Sequence, residues 1–213
     1  KKKPEIKKIA LLTGGGDAPG LNSVIRAAVR KIKRKYGWEI LGINESFEGL
    51  ITGEKNTVLD EGTVKGILTK GGTILGTSNK ANPFSYPVSR GGKLVAVDHS
   101  GLVRERIHEF GIDALMIIGG DGTMRIAQRF HELGVPVVGV PKTIDNDLKG
   151  TDRTFGFDTA VGCVTWCLDR LHSTAESHDR VIIVEVMGRD AGWIALHGGL
   201  AGGADVLLIP EIP

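Results

Sequence analysis

Short apolar runs alternate with helix-period stretches along nearly all of the 213 residues, and no other feature restricts the fold so tightly. IALLT (9–13), EILGI (39–43), DALMIIGG (113–120) and VPVVGV (135–140) have the length and apolar character of buried strands. LNSVIRAAVRKIKRKYG (21–37), HSGLVRERIHEFG (99–111) and TMRIAQRFHELG (123–134) carry helical spacing, with Val24, Ala27, Ala28 and Ile32 marking one face of the first. Further on, FDTAVGCVTWCLDRLHSTAE predicts a long helix, RVIIVEV a strand, DAGWIALHGGLAGG a helix and ADVLLIP a last strand. The strand–helix order predicts an α/β fold with a mostly parallel sheet and helices on both faces. Ligands of such sheets sit in the crevice at the carboxyl ends of the strands. Many of the 31 glycines fall at those ends, and a polar loop within 141–155 marks a boundary between two series of units.

Composition narrows the classes. A formal charge of +2 gives no global attraction to nucleic acid or membrane, and 5% aromatic residues provide little for base stacking. The basic runs KKKPEIKK and RKIKRK read as a frayed tail and the wet face of a helix. No apolar run approaches the roughly 18 residues needed to span a bilayer, and only IALL follows the first lysines, too little for a signal peptide. Cys163 and Cys167 have no second pair to complete a zinc site, so they read as buried thiols in a reducing cytoplasm.

Four strand-end motifs carry chemistry. TGGGDAPGLN (13–22) is a glycine-rich turn before a helix, suited to a phosphate. Pro19 spoils a dinucleotide fingerprint, the GK[ST] ending of a P-loop is missing, and a purely structural turn is the alternative. IIGGDGTMR (117–125) suits a triphosphate, with backbone amides on its oxygens and Asp121 on Mg²⁺; a capped helix start is the bland reading. In PKTIDND (141–147), residues two apart share a face of an extended loop. Thr143, Asp145 and Asp147 then line up to hold an alcohol and accept its proton, while Lys142 and Asn146 point away. VEVMGRDAG (184–192) offers Met187, Gly188 and Arg189 after a strand, with Arg180 at that strand's opposite end. Either arginine suits a phosphate or a surface ion pair.

Together GGDAPGLN, GGTILG, IGGDGT, PKTIDND, KGTD, GFDTA, HDRV and VEVMGR, in this order and spacing, resemble the 6-phosphofructokinase family over nearly the whole chain. The resemblance implies a three-layer α/β sandwich with mostly parallel sheets. Two similar α/β domains would flank the active site: a nucleotide-binding domain over 1–145 and the start of a sugar-phosphate-binding domain over 146–213. It implies transfer of the γ-phosphoryl of Mg·ATP to the 1-hydroxyl of fructose 6-phosphate, in glycolysis. Gly16 and Gly120, Asp121, Gly122 and Thr123 would contact the nucleotide, and Asp121 would bind Mg²⁺. Asp145 would take the sugar's proton, flanked by Thr143, Ile144 and Asp147, with Thr143 on the transferring group. Met187, Gly188 and Arg189 would hold the sugar phosphate, and Arg180 would reach the substrate of a neighbouring subunit in a homo-oligomer.

The sequence departs from the family pattern at several places. Asn79 stands where many members have an arginine, and Lys80 follows it, so a cation reaches the donor phosphates from a shifted position. Arg26 and Arg30 match effector-site residues of the bacterial allosteric enzymes, but Glu61 and His172 replace arginines there, which predicts weak control by ADP or phosphoenolpyruvate. The sequence stops at LLIPEIP, short of the family's length, so either it is part of a longer protein that carries the downstream residues of the sugar-phosphate pocket, or the pocket is incomplete. Members using pyrophosphate carry an aspartate after GGD and a lysine in PKTIDxD; this chain has Gly122 and Lys142. An aspartate at 122 would bury a like charge against the α-phosphate, so ATP is the expected donor and pyrophosphate the alternative. A non-catalytic sugar-phosphate-binding homologue is a third reading, against which Asp121 and Asp145 both stand.

Overall fold

A computed structural model describes residues 5–54 and 56–212. The chain divides into two compact units, Lys1–Pro141 and Lys142–Pro213. In the first, β1 (Lys8–Gly14), β2 (Glu39–Ile43), β6 (Ala114–Gly119) and β7 (Val137–Thr143, which runs on into the second unit) form a parallel sheet. Its order is β3-β2-β1-β6-β7, with β3 (Thr57–Val58) antiparallel at the edge. Gly14 pairs with Gly119 and Gly119 with Pro141, so the loops after β1 and β6 leave the sheet at one level, and β7 runs two residues past it to Thr143. This is the carboxyl edge at which the sequence placed the glycine-rich turn, GGDGT and the start of PKTIDND.

Helix α1 (Leu21–Tyr36) starts after Gly20 and stops at Gly37, whose positive φ of 68° lets its N–H reach the carbonyls of Ile32 and Lys33. Its last turn is basic, matching the helix dipole. The buried stripe is Leu21, Ile25 and Val29, not the face marked by Val24, Ala27, Ala28 and Ile32. Counting small alanines as apolar admitted two helical phases, and the larger side chains chose the other one. The looser region supplies a short helix α2 (Glu48–Thr52) and a hairpin of β4 (Tyr86–Arg90) with β5 (Lys93–Val97). Helix α3 (Ser100–Glu109) and helix α4 (Asp121–Glu132) complete the unit. Ile43, Phe47, Leu50, Val103, Ile117 and Phe130 belong to its core, where the Phe47 and Phe130 rings stack at 5.5 Å.

In the second unit, the end of β7 pairs with β8 (Phe155–Gly156) through Lys142 and Thr143. The expected long helix is broken into α5 (Phe157–Leu168) and α6 (His172–Ser177), and α7 (Trp193–Ala201) packs against α5. RVIIVEV and ADVLLIP carry no strand pairing: Val181 is 94% and Leu208 84% exposed. A strand is defined by its neighbour, and these runs meet none among the described residues. Cys163 is exposed and Cys167 half-buried, so the expected burial of both thiols does not hold; α5 leaves this side bare. Among the described residues, no helix is long and apolar enough to cross a membrane.

Candidate active site

In the first unit, the carboxyl edge holds three pieces of candidate donor machinery. Gly16 lies in the exposed turn after β1. Gly120 caps α4 in an extended conformation, and the first bond of the helix runs from the Met124 N–H to the Gly120 carbonyl at 2.9 Å. The N–H groups of Asp121, Gly122 and Thr123 therefore occupy the first turn, where a helix has no carbonyl for them and attracts anions. Thr123 itself has another task for its side chain. It is 7% exposed and wedged against Gly14 and Gly119, where a Cβ on either glycine would collide with it. Only its backbone is left to meet a phosphate.

Gly122 is open: a Cβ there would meet nothing within 4 Å. Asp121 is also exposed, and its carboxylate accepts from Arg125 Nε at 2.9 Å, one turn along the same helix. A metal ligand at this position would exchange that partner for the ion. No group of three His, Cys, Asp or Glu side chains among the described residues forms a closed cage. A lone carboxylate fits Mg²⁺, which usually takes one or two carboxylates, waters and substrate phosphate oxygens.

The loop carrying Asn79 and Lys80 is tied to the glycine-rich turn. Gly15 N–H donates to the Ser78 carbonyl at 3.3 Å, and the Thr77 hydroxyl donates to the Gly15 carbonyl at 2.5 Å. Asn79 and Lys80 are both exposed. The first unit thus brings Gly16, Asn79 and Lys80 onto two mutually bonded loops, with Gly120–Thr123 on the adjacent strand end.

The second unit gathers the candidate acceptor groups. Extended backbone ends at Thr143, because its hydroxyl accepts from the Asp145 N–H at 3.1 Å and turns the chain. Asn146 takes a positive φ of 53°, and its Oδ1 accepts from the Thr154 N–H at 2.8 Å. The Thr154 hydroxyl donates to the Thr143 carbonyl, also at 2.8 Å. Thr154, 2% exposed, therefore pins the loop at two points. Simple alternation of faces is corrected here: Asn146 serves as an anchor, and the charge of Lys142, 4% exposed, is felt by Asp145. Side-chain competition for the backbone replaced the extended geometry that alternation assumes.

Asp145 is half-buried, and its carboxyl is held above the ordinary range. Burial is the first cause and the charge of Asp147 the second, opposed by Arg189, Lys142 and the Thr143 hydroxyl. This places Thr143, Asp147, Lys142 and Arg189 within electrostatic or hydrogen-bond reach of one carboxylate. Ile144 lies between Thr143 and Asp145, half-buried. Gly188 is buried at φ 147°, with its Cβ position blocked by the Ala191 carbonyl, so no other residue fits. Arg189 follows at φ 55°, a conformation that costs a non-glycine residue about 1–2 kcal/mol. Met187 is 73% exposed beside them. Arg180 stands apart: it is exposed and lines a cavity of about 590 Å³ whose walls include Val164, Leu168, Val181 and Val206.

Sequence reasoning missed Arg125 and Thr154. The i,i+4 spacing of Asp121 and Arg125 was a readable signal; nothing in KGTDRTFGF singled out Thr154.

The sequence model of the phosphofructokinase family matches residues 8–213. The chain is 56% identical over 207 residues to an ATP-dependent 6-phosphofructokinase of Chloroflexus aggregans, covering 97% of this chain and 57% of the relative. It is 54% identical over 205 residues to a pyrophosphate–fructose 6-phosphate 1-phosphotransferase of Streptomyces coelicolor, covering 96% and 56%. The structure matches that of phosphofructokinase from Saccharomyces cerevisiae with a TM-score of 0.82 and 35% identity, over 96% of this chain and 29% of that one. The chain thus spans a little over half the length of the curated relatives it matches. With the strand-end motifs set at the edge of a parallel sheet and the match running over nearly all of its residues, the chain belongs to the phosphofructokinase family.

Proposed function

We propose that the protein transfers a phosphoryl group to the 1-hydroxyl of fructose 6-phosphate, giving fructose 1,6-bisphosphate, with Mg·ATP as donor. The observation that carries this reading is the environment of Asp145: a carboxyl raised by burial and by Asp147, with a cation on Arg189 and another on Lys142. A raised carboxylate is a stronger base for a hydroxyl proton. Asp145 accepts that proton, Thr143 presents its hydroxyl to the transferring group, and Asp147 flanks them. Met187, Gly188 and Arg189 hold the sugar phosphate, with Arg189 oriented by its fixed backbone. Backbone N–H groups of the first turn of α4, together with Gly16, Asn79 and Lys80, hold the donor. Mg²⁺ bound by Asp121 would neutralise charge on the phosphoryl oxygens. The reading includes two similar α/β domains flanking the site, a nucleotide-binding one over 1–145 and a sugar-phosphate-binding one of which 146–213 is the start, and a homo-oligomer in which Arg180 serves a neighbouring site.

The donor rests on Gly122. Relatives of nearly equal identity are named for ATP and for pyrophosphate, so overall similarity does not decide between them. The open space at Gly122 leaves room for an α-phosphate, whereas Lys142 is the residue that favours the pyrophosphate reading. Phosphorylation of fructose 6-phosphate should be assayed with ATP and pyrophosphate in parallel on the full-length protein. Turnover with ATP is expected; substantial turnover with pyrophosphate alone reverses the donor. Gly122→Asp sharpens the test because the protein itself accommodates the side chain. It should abolish ATP use without lowering the thermal midpoint.

A further inference from the structure

Loop 70–80 has little structure of its own, with Gly72 and Gly76 both at a φ of 68°. Its shape is imposed by two buried polar side chains that touch no reacting group. Asn22, the second residue of α1, is 2% exposed. Its Nδ2 donates to the carbonyls of Lys70 at 3.0 Å and Gly71 at 3.3 Å, and its Oδ1 accepts from the Ile74 N–H at 2.8 Å. Thr13, fully buried near the end of β1, donates to the Gly76 carbonyl at 2.7 Å. That donation spends its only proton, so in its 3.0 Å contact with Thr73 the Thr73 hydroxyl is the donor. Thr73 Oγ1 accepts in turn from the Leu75 N–H at 3.2 Å.

Asparagine is a poor helix former, and burying its amide is unfavourable unless it is fully paired. Here both ends of the amide are used, and every bond goes to the backbone of one distant loop. Four residues after Ile74, that loop bonds to Gly15 in the glycine-rich turn that precedes Asn22. The turn and the loop are therefore tied at both ends of their contact: at Thr13 and Gly15 on one side, and at Asn22 on the other.

We infer that Asn22, assisted by Thr13, is a positioning residue for the phosphoryl donor. It locks loop 70–80 to the glycine-rich turn, so that Gly16 on one and Asn79 and Lys80 on the other meet the donor as a single preformed cradle. The inference rests on the donor site proposed above. Without the lock, the loop would have to be ordered when the donor binds, and that ordering would be subtracted from donor affinity.

The test is steady-state kinetics of Asn22→Asp in the full-length protein. The substitution keeps the shape and the acceptor for Ile74 but turns an oxygen toward the carbonyls of Lys70 and Gly71. We expect the donor KM to rise about tenfold, the scale of one or two lost hydrogen bonds, with kcat and the fructose 6-phosphate KM changed less than about twofold. A fall in kcat at unchanged donor KM would mean a merely structural role and overturns the inference. Thr13→Val, nearly isosteric, should shift the donor KM in the same direction and carries the test if Asn22→Asp does not fold. Lys80→Ala separates the two layers of the argument. Alone it should raise the donor KM, and in Asn22→Asp it should add nothing further. A normal Lys80→Ala effect that multiplies with Asn22→Asp overturns the lock alone. No Lys80→Ala effect, with turnover intact, overturns the donor reading of this loop and the inference with it.

Discussion

In the first unit, strand side chains such as Leu11, Leu12 and Ile117 are 0% exposed; in the second, Val181 and Ile183 are 94% and 89% exposed. The two sets are equally apolar and equally β-branched or leucine-rich, so composition does not separate them. Pairing does: β1 lies between β2 and β6, whereas RVIIVEV has no strand beside it among the described residues. Hydrophobicity becomes stability only where a neighbour removes the surface from water. The same contrast holds for the candidate site. The candidate donor groups in the first unit are framed by a sheet, while the candidate acceptor groups in the second depend on a few polar bonds from Thr143, Asn146 and Thr154.

The largest effect should come from the acceptor side. Asp145→Asn should lower kcat by about 10²- to 10⁴-fold, the usual weight of a general base, while fructose 6-phosphate binding is retained. Retained turnover would remove Asp145 from the proton-accepting role, whereas absence of turnover in the parent itself would favour a non-catalytic homologue. The contrast in packing is next. Leu12→Ala should destabilise by about 2–5 kcal/mol in chemical denaturation, and Ile183→Ala in this chain should stay within about 0.5 kcal/mol. Equal effects would break the comparison between the units.

A pH effect follows from the raised carboxyl of Asp145. Its unfolded value is ordinary, near 3.9, and its folded value is higher, so stability falls as pH rises through the interval between them. Asp145→Asn should therefore be no less stable than the parent at neutral pH, with the thermal midpoint as the check. In the parent, the acid limb of kcat/KM should lie above the usual aspartate range. The smallest effect is expected at Glu61, which accepts from Arg34 at 2.8 and 2.6 Å and lies 3.9 Å from Arg30. Glu61→Ala should leave stability unchanged and strengthen binding of ADP, read by isothermal titration; no gain in binding would show that Glu61 does not screen those arginines.

Much of the first unit was legible because its signals were periodic. β1, β2 and β6 fall where apolar runs predicted them, and α4 starts at Asp121, two residues before the helical run. The hairpin β4–β5 was not read, since its strands are largely exposed and lack a buried face to alternate with. PKTIDND was expected to follow a strand, but its first three residues belong to β7, and the shape of the rest was not legible. That shape depends on Thr154, eleven residues beyond Thr143, and on hydroxyl and amide bonds that leave no periodic trace. Asn22 was hidden for the same reason, its partners lying about fifty residues away.

The pairing of Gly14 with Gly119 and of Gly119 with Pro141 sets a limit on how such a chain can change. A loop leaving this edge can be lengthened or exchanged while its neighbours stay where they are. One residue added inside β6 is different: it would carry GGDGT forward by about 3.3 Å and turn its side chains over, leaving the other two loops behind. Strand length here acts as a ruler shared by three loops, and deletion or insertion scanning should find the strands far less forgiving than the loops they end in.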